Sequence, residues 1–377
     1  MNPLTLPTHL HFMDPKGFIE TMILKSKGHK IALFLSESAA KRLDLSFMIE
    51  TLSKEGELIW IKSIPSNPDY HDLAKTHRLL KGSEMDLIIA IGGGSSLDLA
   101  KSTAALYGIN QKDDSDEAIL KIILDKSYLK QTHCPFLIAV PTTAGTGSEL
   151  TRWATIWDTD HQAKLSIETP NLAFDEAYIV SEFTLTMPLK LTLSTGLDAL
   201  TQATEAYWAK STSPSVQVLA LQAIRLIVRN LPKVLSDLND LEARKKMMVG
   251  SLLGAMAFSN TKTTACHSIS YPLTLKFKMD HGLACALTLG DLLRINLATL
   301  ANPESVYEAF NINNPEQVTQ WINTLSTGIV SMKLSDYGVK ESDLEDLAHL
   351  SFTLGRMDNN PVELNEQQVK DILKLHL

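Results

Sequence analysis

Asp86 to Gly108 reads DLIIAIGGGSSLDLAKSTAALYG. Leu87 to Ile91 form an unbroken apolar run, the mark of a buried strand, and the residues after the glycines have helical spacing. Gly92, Gly93 and Gly94 therefore stand at a strand-to-helix turn. Backbone amides without side chains can approach a diphosphate closely there, and the helix N-terminus adds positive potential. Ser95 and Ser96 can cap that helix or bond phosphate oxygens. A tight turn with no ligand is the plain alternative. The spacing is not GxGxxG, so the Rossmann fingerprint does not apply.

Working outward, IALFL at Ile31–Leu35 and ELIWI at Glu57–Ile61 are further strand signals, and PFLIAVPTT repeats the arrangement of a buried strand entering a loop of small residues. Strands alternating with helices predict a parallel sheet with helices on both faces and ligands outside the strands' carboxyl ends. The second loop, Pro141 to Glu149 (PTTAGTGSE), offers hydroxyls and glycines suited to adenosine, ribose and phosphate. Beyond Met187-Pro188 the patterns LSTGLDALTQATEAYWA, SPSVQVLALQAIRLIVRNL and ARKKMMVGSLLGAMAFS read as successive amphipathic helices. The expected organisation is an α/β dinucleotide-binding domain over residues 1–186 and an α-helical metal and substrate domain over 187–377.

The composition agrees with such an enzyme. A chain of 377 residues with 44% hydrophobic and 21% charged residues can bury two cores. A formal net charge of −8 with no cluster of Lys and Arg argues against nucleic-acid binding. Cys134, Cys266 and Cys285 are too few and too scattered for a disulfide framework or a CxxC zinc site, which fits the cytoplasm. No nucleophilic cysteine context or Ser-His-Asp arrangement is legible. Neither a signal-like N-terminus nor a run of 18 apolar residues occurs, so no membrane partner is expected.

A second polar group stands out in the helical half. Asp198 and Gln202 lie four apart on one helix face, and His267 and His281 come from NTKTTACHSISYPLTLKFKMDHGLAC. One carboxylate and two imidazoles make a set for a divalent cation with an open position, which would polarise a carbonyl or stabilise an alkoxide. The plain alternative for each His is a structural hydrogen bond, and for Asp198 a carboxylate favouring a helix N-terminus.

Together GGGSSLDLAK, PTTAGTGSE, STGLDALTQATEAY and HSISYPLT…DHG resemble, in order and over nearly the whole chain, the iron-containing (group III) alcohol dehydrogenase family. The resemblance implies a dinucleotide-binding N-terminal domain, a helical C-terminal domain of the dehydroquinate-synthase-like architecture, a metal in the cleft between them and a homodimer. Carried across, Gly92, Gly93, Gly94 and Ser95 match the diphosphate loop, Asp98 its helix-borne acid, Thr142, Thr143 and Thr146 the nucleotide-contacting loop, and Lys164 a lysine near the nicotinamide ribose. Glu37 matches an acid against the adenosine ribose, which favours NAD(H) over NADP(H), although Ser36 and Ser38 beside it can accommodate a 2′-phosphate. Asp198, His267 and His281 match three of four metal ligands, for iron or zinc. Gln202 stands where the fourth, a histidine, is usual, and an amide oxygen is a weaker ligand. Tyr271 stands where many relatives carry another histidine, and it can still donate to a developing alkoxide.

The segments ATIWD, EAYWAKSTSPS and SNTKTTACHSISYPLT resemble the phosphonoacetaldehyde reductase branch, which implies reduction of that aldehyde to 2-hydroxyethylphosphonate. Arg152, Lys262 and Thr263, with Thr261, Thr264 and Arg356 behind them, can supply donors to a phosphonate dianion. Equally, the threonines can satisfy loop backbone and the cations can sit in water. The expected chemistry is hydride transfer between nicotinamide and a small aldehyde, with Tyr271 and His267 as catalytic residues. The rivals are a general short-chain alcohol dehydrogenase, a dehydroquinate-synthase-like lyase, and a nucleotide-binding protein that has lost catalysis.

Overall fold

The computed structural model describes residues 4–109, 113–131, 133–161 and 163–377. Its strands, in chain order, are β1 (His9–Phe12), β2 (Lys30–Phe34), β3 (Glu57–Ile61), β4 (Leu87–Gly92), β5 (Phe136–Pro141), β6 (Trp153–Asp158), β7 (Ala163–Glu168) and β8 (Glu176–Ile179). The helices of the first half are α1 (Pro15–Ser26), α2 (Glu37–Arg42), α3 (Ser46–Glu55), α4 (Tyr70–Leu80), α5 (Gly94–Leu106) and α6 (Asp116–Leu124). Those that follow are α7 (Leu189–Trp208), α8 (Pro214–Ser236), α9 (Leu241–Phe258), α10 (Ala265–Phe277), α11 (His281–Leu287), α12 (Leu289–Asn296), α13 (Pro303–Phe310), α14 (Glu316–Ser326), α15 (Leu344–Leu350) and α16 (Glu366–Lys374).

Six strands form one sheet in the order β1-β8-β5-β4-β2-β3, with every neighbouring pair parallel. Ile88, Ile89 and Ile91 of β4 are wholly buried, as a strand covered on both faces requires. Each such side chain contributes about 1.5–3 kcal/mol by leaving water. Gly92 pairs with Pro141, so β4 and β5 end level and their following loops begin side by side. The parallel sheet with an N-terminal α/β region and a helical remainder is as the sequence leads one to expect. Four strands are additional, among them β8, which lies between β1 and β5 in the sheet. The edge strand β1, HLHF, has no apolar run to announce it, and β6 and β7 form an antiparallel hairpin that buries Trp153 and Trp157.

The chain divides into two compact units. One comprises Leu6–Thr143 and Ser148–Thr186; the other comprises Met187–Leu377 with Ala144–Gly147 and the N-terminal residues up to Thr5. In the helical unit α7 runs about 30 Å and is buried over nearly its whole length from Thr192. That burial needs small residues at the crossings. Gly196 faces Leu231 of α8, where a Cβ would come within 2.6 Å of Leu231 Cδ1. Among the described residues no helix is long and apolar enough to cross a membrane.

Candidate active site

In the N-terminal unit the two loops form one surface. Thr142 N–H donates to Gly92 O at 2.9 Å, and a Cβ on Gly93 would lie 3.2 Å from Thr143 Cγ2. A Cβ on Gly92 would come within 2.3 Å of Ser96 Oγ, so the turn into α5 admits only glycine there. The N-cap of α5 is Gly93, with no side chain capping it. This corrects the expectation that Ser95 or Ser96 caps the helix: both lie inside its first turn, and Ser95 Oγ accepts from Asn67 N–H at 3.1 Å. Without a side-chain cap, first-turn donors remain for an anion.

Asp98 has both carboxylate oxygens engaged by the chain. Oδ1 accepts from Ser148 Oγ at 2.5 Å and Oδ2 from Thr155 N–H at 3.0 Å, so it ties α5 to the second loop and to β6. Lys101, three residues on and wholly buried, donates to Ser148 O at 2.9 Å and Thr151 Oγ1 at 2.8 Å and lies 3.4 Å from Asp98. Burial pushes the neighbouring Glu149 carboxyl up from its ordinary 4.5 to about 7. A raised acid stabilises the fold fully below 4.5, and that stability is lost as pH rises through about 7. Glu149→Gln is accordingly expected to raise the melting temperature at pH 8 and change it little at pH 4. A thermal scan at both values checks this, and an equal shift at the two would refute it.

Glu37 opens α2 just past the end of β2, exposed and 3.3 Å from Lys41. Lys164 lies on β7, paired in register with Trp157, and is half-buried. Arg152 belongs to the same unit, half-exposed, with Nε 3.6 Å from Glu168.

The segment Ala144–Gly147 packs with the helices. A Cβ on Gly145 would lie 2.5 Å from Thr195 Cβ, and one on Gly147, at φ +63°, would lie 2.4 Å from Ala255 Cβ. Its glycines thus serve close approach to α7 and α9. Thr146 O accepts from Gln202 Nε2 at 3.5 Å, which fixes the amide and leaves the buried Gln202 Oε1 without a hydrogen-bond partner among the described residues.

Asp198 is buried in mid-helix on α7, not at an N-terminus, so the helix-end account of it does not apply. Around it the structure gathers His267 of α10 and both His281 and Cys285 of α11, with one donor atom from each inside a sphere where all lie within 4.8 Å of one another. His267 Nε2 stands 3.3 Å from Asp198 Oδ1, and Cys285 Sγ stands 3.6 Å from His281 Nε2. Cys285, one turn after His281 on α11, carries no pattern in the sequence that marks it as a member. The carboxylate, the two imidazoles and the thiol form a donor set suited to a divalent transition metal, and Gln202, one turn after Asp198 on α7, is buried with its Oε1 unpartnered among the described residues.

Glu205, one turn beyond Gln202 on α7, lies wholly buried behind His267. Its Oε2 contacts His267 Nδ1, while Oε1 accepts from Thr264 Oγ1 at 2.8 Å and Cys266 N–H at 2.7 Å. Trp208 Nε1–H in turn donates to Thr264 Oγ1 at 2.8 Å. Once the ring is neutral, a carboxylate on Nδ1 holds the proton there and leaves the Nε2 lone pair facing Asp198. Burial alone would raise Glu205, but the His267 charge and hydrogen bonds hold it below the usual carboxylate range. Burial would likewise raise the Cys285 thiol, yet His267 and His281 beside it bring it down to about 7.

Tyr271, one turn after His267, is buried with its ring stacked on His281 at 6.0 Å between centroids. Lys262 is half-buried at φ +65°, a left-handed conformation unusual for a side-chain-bearing residue. Thr263 is buried; its carbonyl and that of Thr261 accept from Asn359 Nδ2 at 3.1 and 2.9 Å. Asn359, invisible in the sequence, therefore braces this loop. Arg356 is half-buried and donates to Gly355 O at 2.9 Å.

Two family models match the chain: iron-containing alcohol dehydrogenase over residues 19–179, and the C-terminal part of the Fe-containing alcohol dehydrogenase family over 192–377. The chain is 31% identical to an NADPH-dependent butanol dehydrogenase of Clostridium saccharobutylicum, covering 99% of this chain and 97% of the relative. It is also 31% identical to a phosphonoacetaldehyde reductase of Streptomyces viridochromogenes, covering 82% and 80%. Its fold is similar to that of a sulfoacetaldehyde reductase from Bifidobacterium kashiwanohense solved with NAD+, with a TM-score of 0.87 at 24% identity, covering 100% and 98%. The chain belongs to the iron-containing alcohol dehydrogenase family. Within it, the protein is an NAD(P)-dependent alcohol dehydrogenase or aldehyde reductase.

Proposed function

We propose that the protein reduces phosphonoacetaldehyde to 2-hydroxyethylphosphonate, with NADH preferred over NADPH. The observation that carries this reading is Lys262, held in a left-handed conformation five residues before His267. Its N–H donates to Phe258 O at 2.6 Å, so the left-handed turn closes the end of α9 and sets Lys262 and Thr263 at the start of the segment that leads to His267. Its ammonium and the Thr263 hydroxyl suit a phosphonate dianion. Arg152, already paired with Glu168, contributes least of the three. The phosphonoacetaldehyde reductase relative supports the same substrate.

In this reading Gly92, Gly93, Gly94 and Ser95 hold the cofactor diphosphate, Thr142, Thr143 and Thr146 the nucleotide, and Lys164 the nicotinamide ribose. Asp98 positions Ser148 and the second loop. Glu37 repels a 2′-phosphate, an effect that Lys41 partly offsets. Asp198, Gln202, His267 and His281 hold the metal. When bound, the nicotinamide supplies the hydride and the ion polarises the aldehyde oxygen. Tyr271 would donate a hydrogen bond from Oη to the oxygen that gains negative charge, and the proton that the alcohol gains would pass from Tyr271, itself re-protonated from water, or from water by way of the cofactor ribose. Three unpaired cysteines, two of them buried, suit the reducing cytoplasm, and the family resemblance suggests a homodimer.

The test is consumption of NADH and NADPH with a panel of short aldehydes that includes phosphonoacetaldehyde. The phosphonate is expected to give the highest kcat/KM, and Lys262→Ala to raise its KM while leaving uncharged aldehydes unaffected. Uncharged aldehydes reacting far better would favour a general short-chain alcohol dehydrogenase, the reading that the butanol dehydrogenase relative supports. NADH binding without turnover on any aldehyde would mean that catalysis has been lost.

A further inference from the structure

We infer that Asn359 is a positioning residue for substrate specificity: it holds the Lys262–Thr263 loop in the conformation that receives the anionic tail of the substrate, and does so independently of the metal ligands. The inference deepens the proposed function and rests on its assignment of that loop to the phosphonate. The Asn359 amide donates from Nδ2 to Thr261 O at 2.9 Å and to Thr263 O at 3.1 Å, one carbonyl on each side of Lys262. Its Oδ1 lies 3.1 Å from Ser211 Oγ, and the same hydroxyl lies 2.8 Å from Thr261 O. Only one orientation of the amide meets these partners, because the flipped group would set its oxygen against two carbonyls. Lys262 itself donates its N–H to Phe258 O at 2.6 Å and accepts at its carbonyl from Thr261 Oγ1 at 2.9 Å. The backbone on both sides of the lysine is therefore fixed by hydrogen bonds.

The fold anchors the two ends of this segment to different elements. Asn359 ends a single tight turn, Met357–Asn359, and the next residue, Asn360, is wholly buried. Asn360 exchanges amide hydrogen bonds of 3.0 Å in both directions with Asn296 of α12, also wholly buried, and donates to Val362 O at 2.7 Å. One asparagine thus fastens the turn to α12 while its neighbour reaches the loop. Thr264, the residue after Thr263, is held otherwise: its Oγ1 donates to Glu205 Oε1 and accepts from Trp208 Nε1–H, both on α7. The end that leads to His267 therefore hangs from α7, and the end that carries Lys262 hangs from the turn on α12. A loop ordered before the substrate arrives need not be ordered by it, which strengthens binding of any substrate that uses the loop. A substrate with no charged tail gains nothing from that order.

The experiment compares the full chain with Asn359→Leu, which nearly keeps the volume and removes both donors, and with Lys262→Ala, on phosphonoacetaldehyde and on propanal. In Asn359→Leu the KM for phosphonoacetaldehyde is expected to rise about tenfold through two lost hydrogen bonds, while its kcat, the KM for propanal and the bound-metal content stay within about twofold. Ser211→Ala, a smaller change that removes the hydroxyl facing the amide, should raise the same KM about two- to threefold. It decides the matter should Asn359→Leu fail to fold, an unchanged KM then overturning the inference. Equal rises for both aldehydes, or loss of metal, would make Asn359 a brace of the fold alone and overturn it too. If Lys262→Ala raises the KM for phosphonoacetaldehyde and Asn359→Leu does not, the inference falls while the proposed function stands. No effect of Lys262→Ala on that KM overturns the loop assignment, and the inference with it.

Discussion

Replacing Glu205 with glutamine is expected to weaken zinc or iron binding about 10–100-fold while the fold survives. Glutamine keeps the volume and one acceptor oxygen, so Thr264 and the Cys266 amide, which now donate to Glu205 Oε1 at 2.8 and 2.7 Å, retain a partner. The second atom changes character. An amide NH2 facing His267 Nδ1 makes that nitrogen an acceptor, which moves the ring proton to Nε2 and aims it at Asp198 instead of a lone pair. The ligand is thereby disabled without being removed. Glu205→Ala goes further, because it strands a buried imidazole and several donors, and it should cost about 3–5 kcal/mol of stability as well. Zinc titration with a competing chelator measures the first effect and thermal melting separates it from the second. An unchanged zinc affinity in Glu205→Gln would show that Glu205 merely fills space. NADH binding, which the proposed function assigns to the Gly92 and Thr142 loops, should be the same in both variants.

The two halves of the chemistry differ in how far the sequence discloses them. The proposed diphosphate loop is contiguous, so an apolar strand, three glycines and a helix spell it out in order, and β4 and α5 form as read. The metal cluster is assembled from three helices. Asp198 and the two histidines are recognisable through the family resemblance, whereas Glu205 and Cys285 carry no local pattern. Glu205 reads as an ordinary acid of an amphipathic helix, and only the burial of α7 on nearly every side reveals that it faces His267. Cys285 reads as a small apolar residue in ACAL until α11 is packed. The loop PTTAGTGSE shows the same limit from the other direction. Its first residues lie with the sheet, but Ala144–Gly147 pack among the helices, a division that composition cannot display.

Gly282→Ala should abolish tight metal binding although it adds a single methyl group. A Cβ at this position would lie 1.9 Å from Ser194 O and 3.0 Å from Asp198 Cβ. The obstacle is the backbone of α7, which cannot rotate aside as a side chain would. To restore an ordinary contact, α11 must withdraw by roughly an ångström, and close-packed interiors transmit such displacements. His281 and Cys285 ride on α11 while Asp198 stays on α7, so the withdrawal separates the donors themselves. Metal sites tolerate about 0.2 Å in ligand distance, which makes a shift of this size decisive. Overpacking of this kind costs about 1–3 kcal/mol, so a modest fall in melting temperature should accompany the loss of metal. The expected pattern is therefore unequal: zinc content after dialysis falls nearly to zero, the melting temperature drops by a few degrees, and NADH binding changes little. Full zinc retention in Gly282→Ala would mean that α7 and α11 are free to separate without opening the cluster, and that the close approach at Gly282 has no part in building the site.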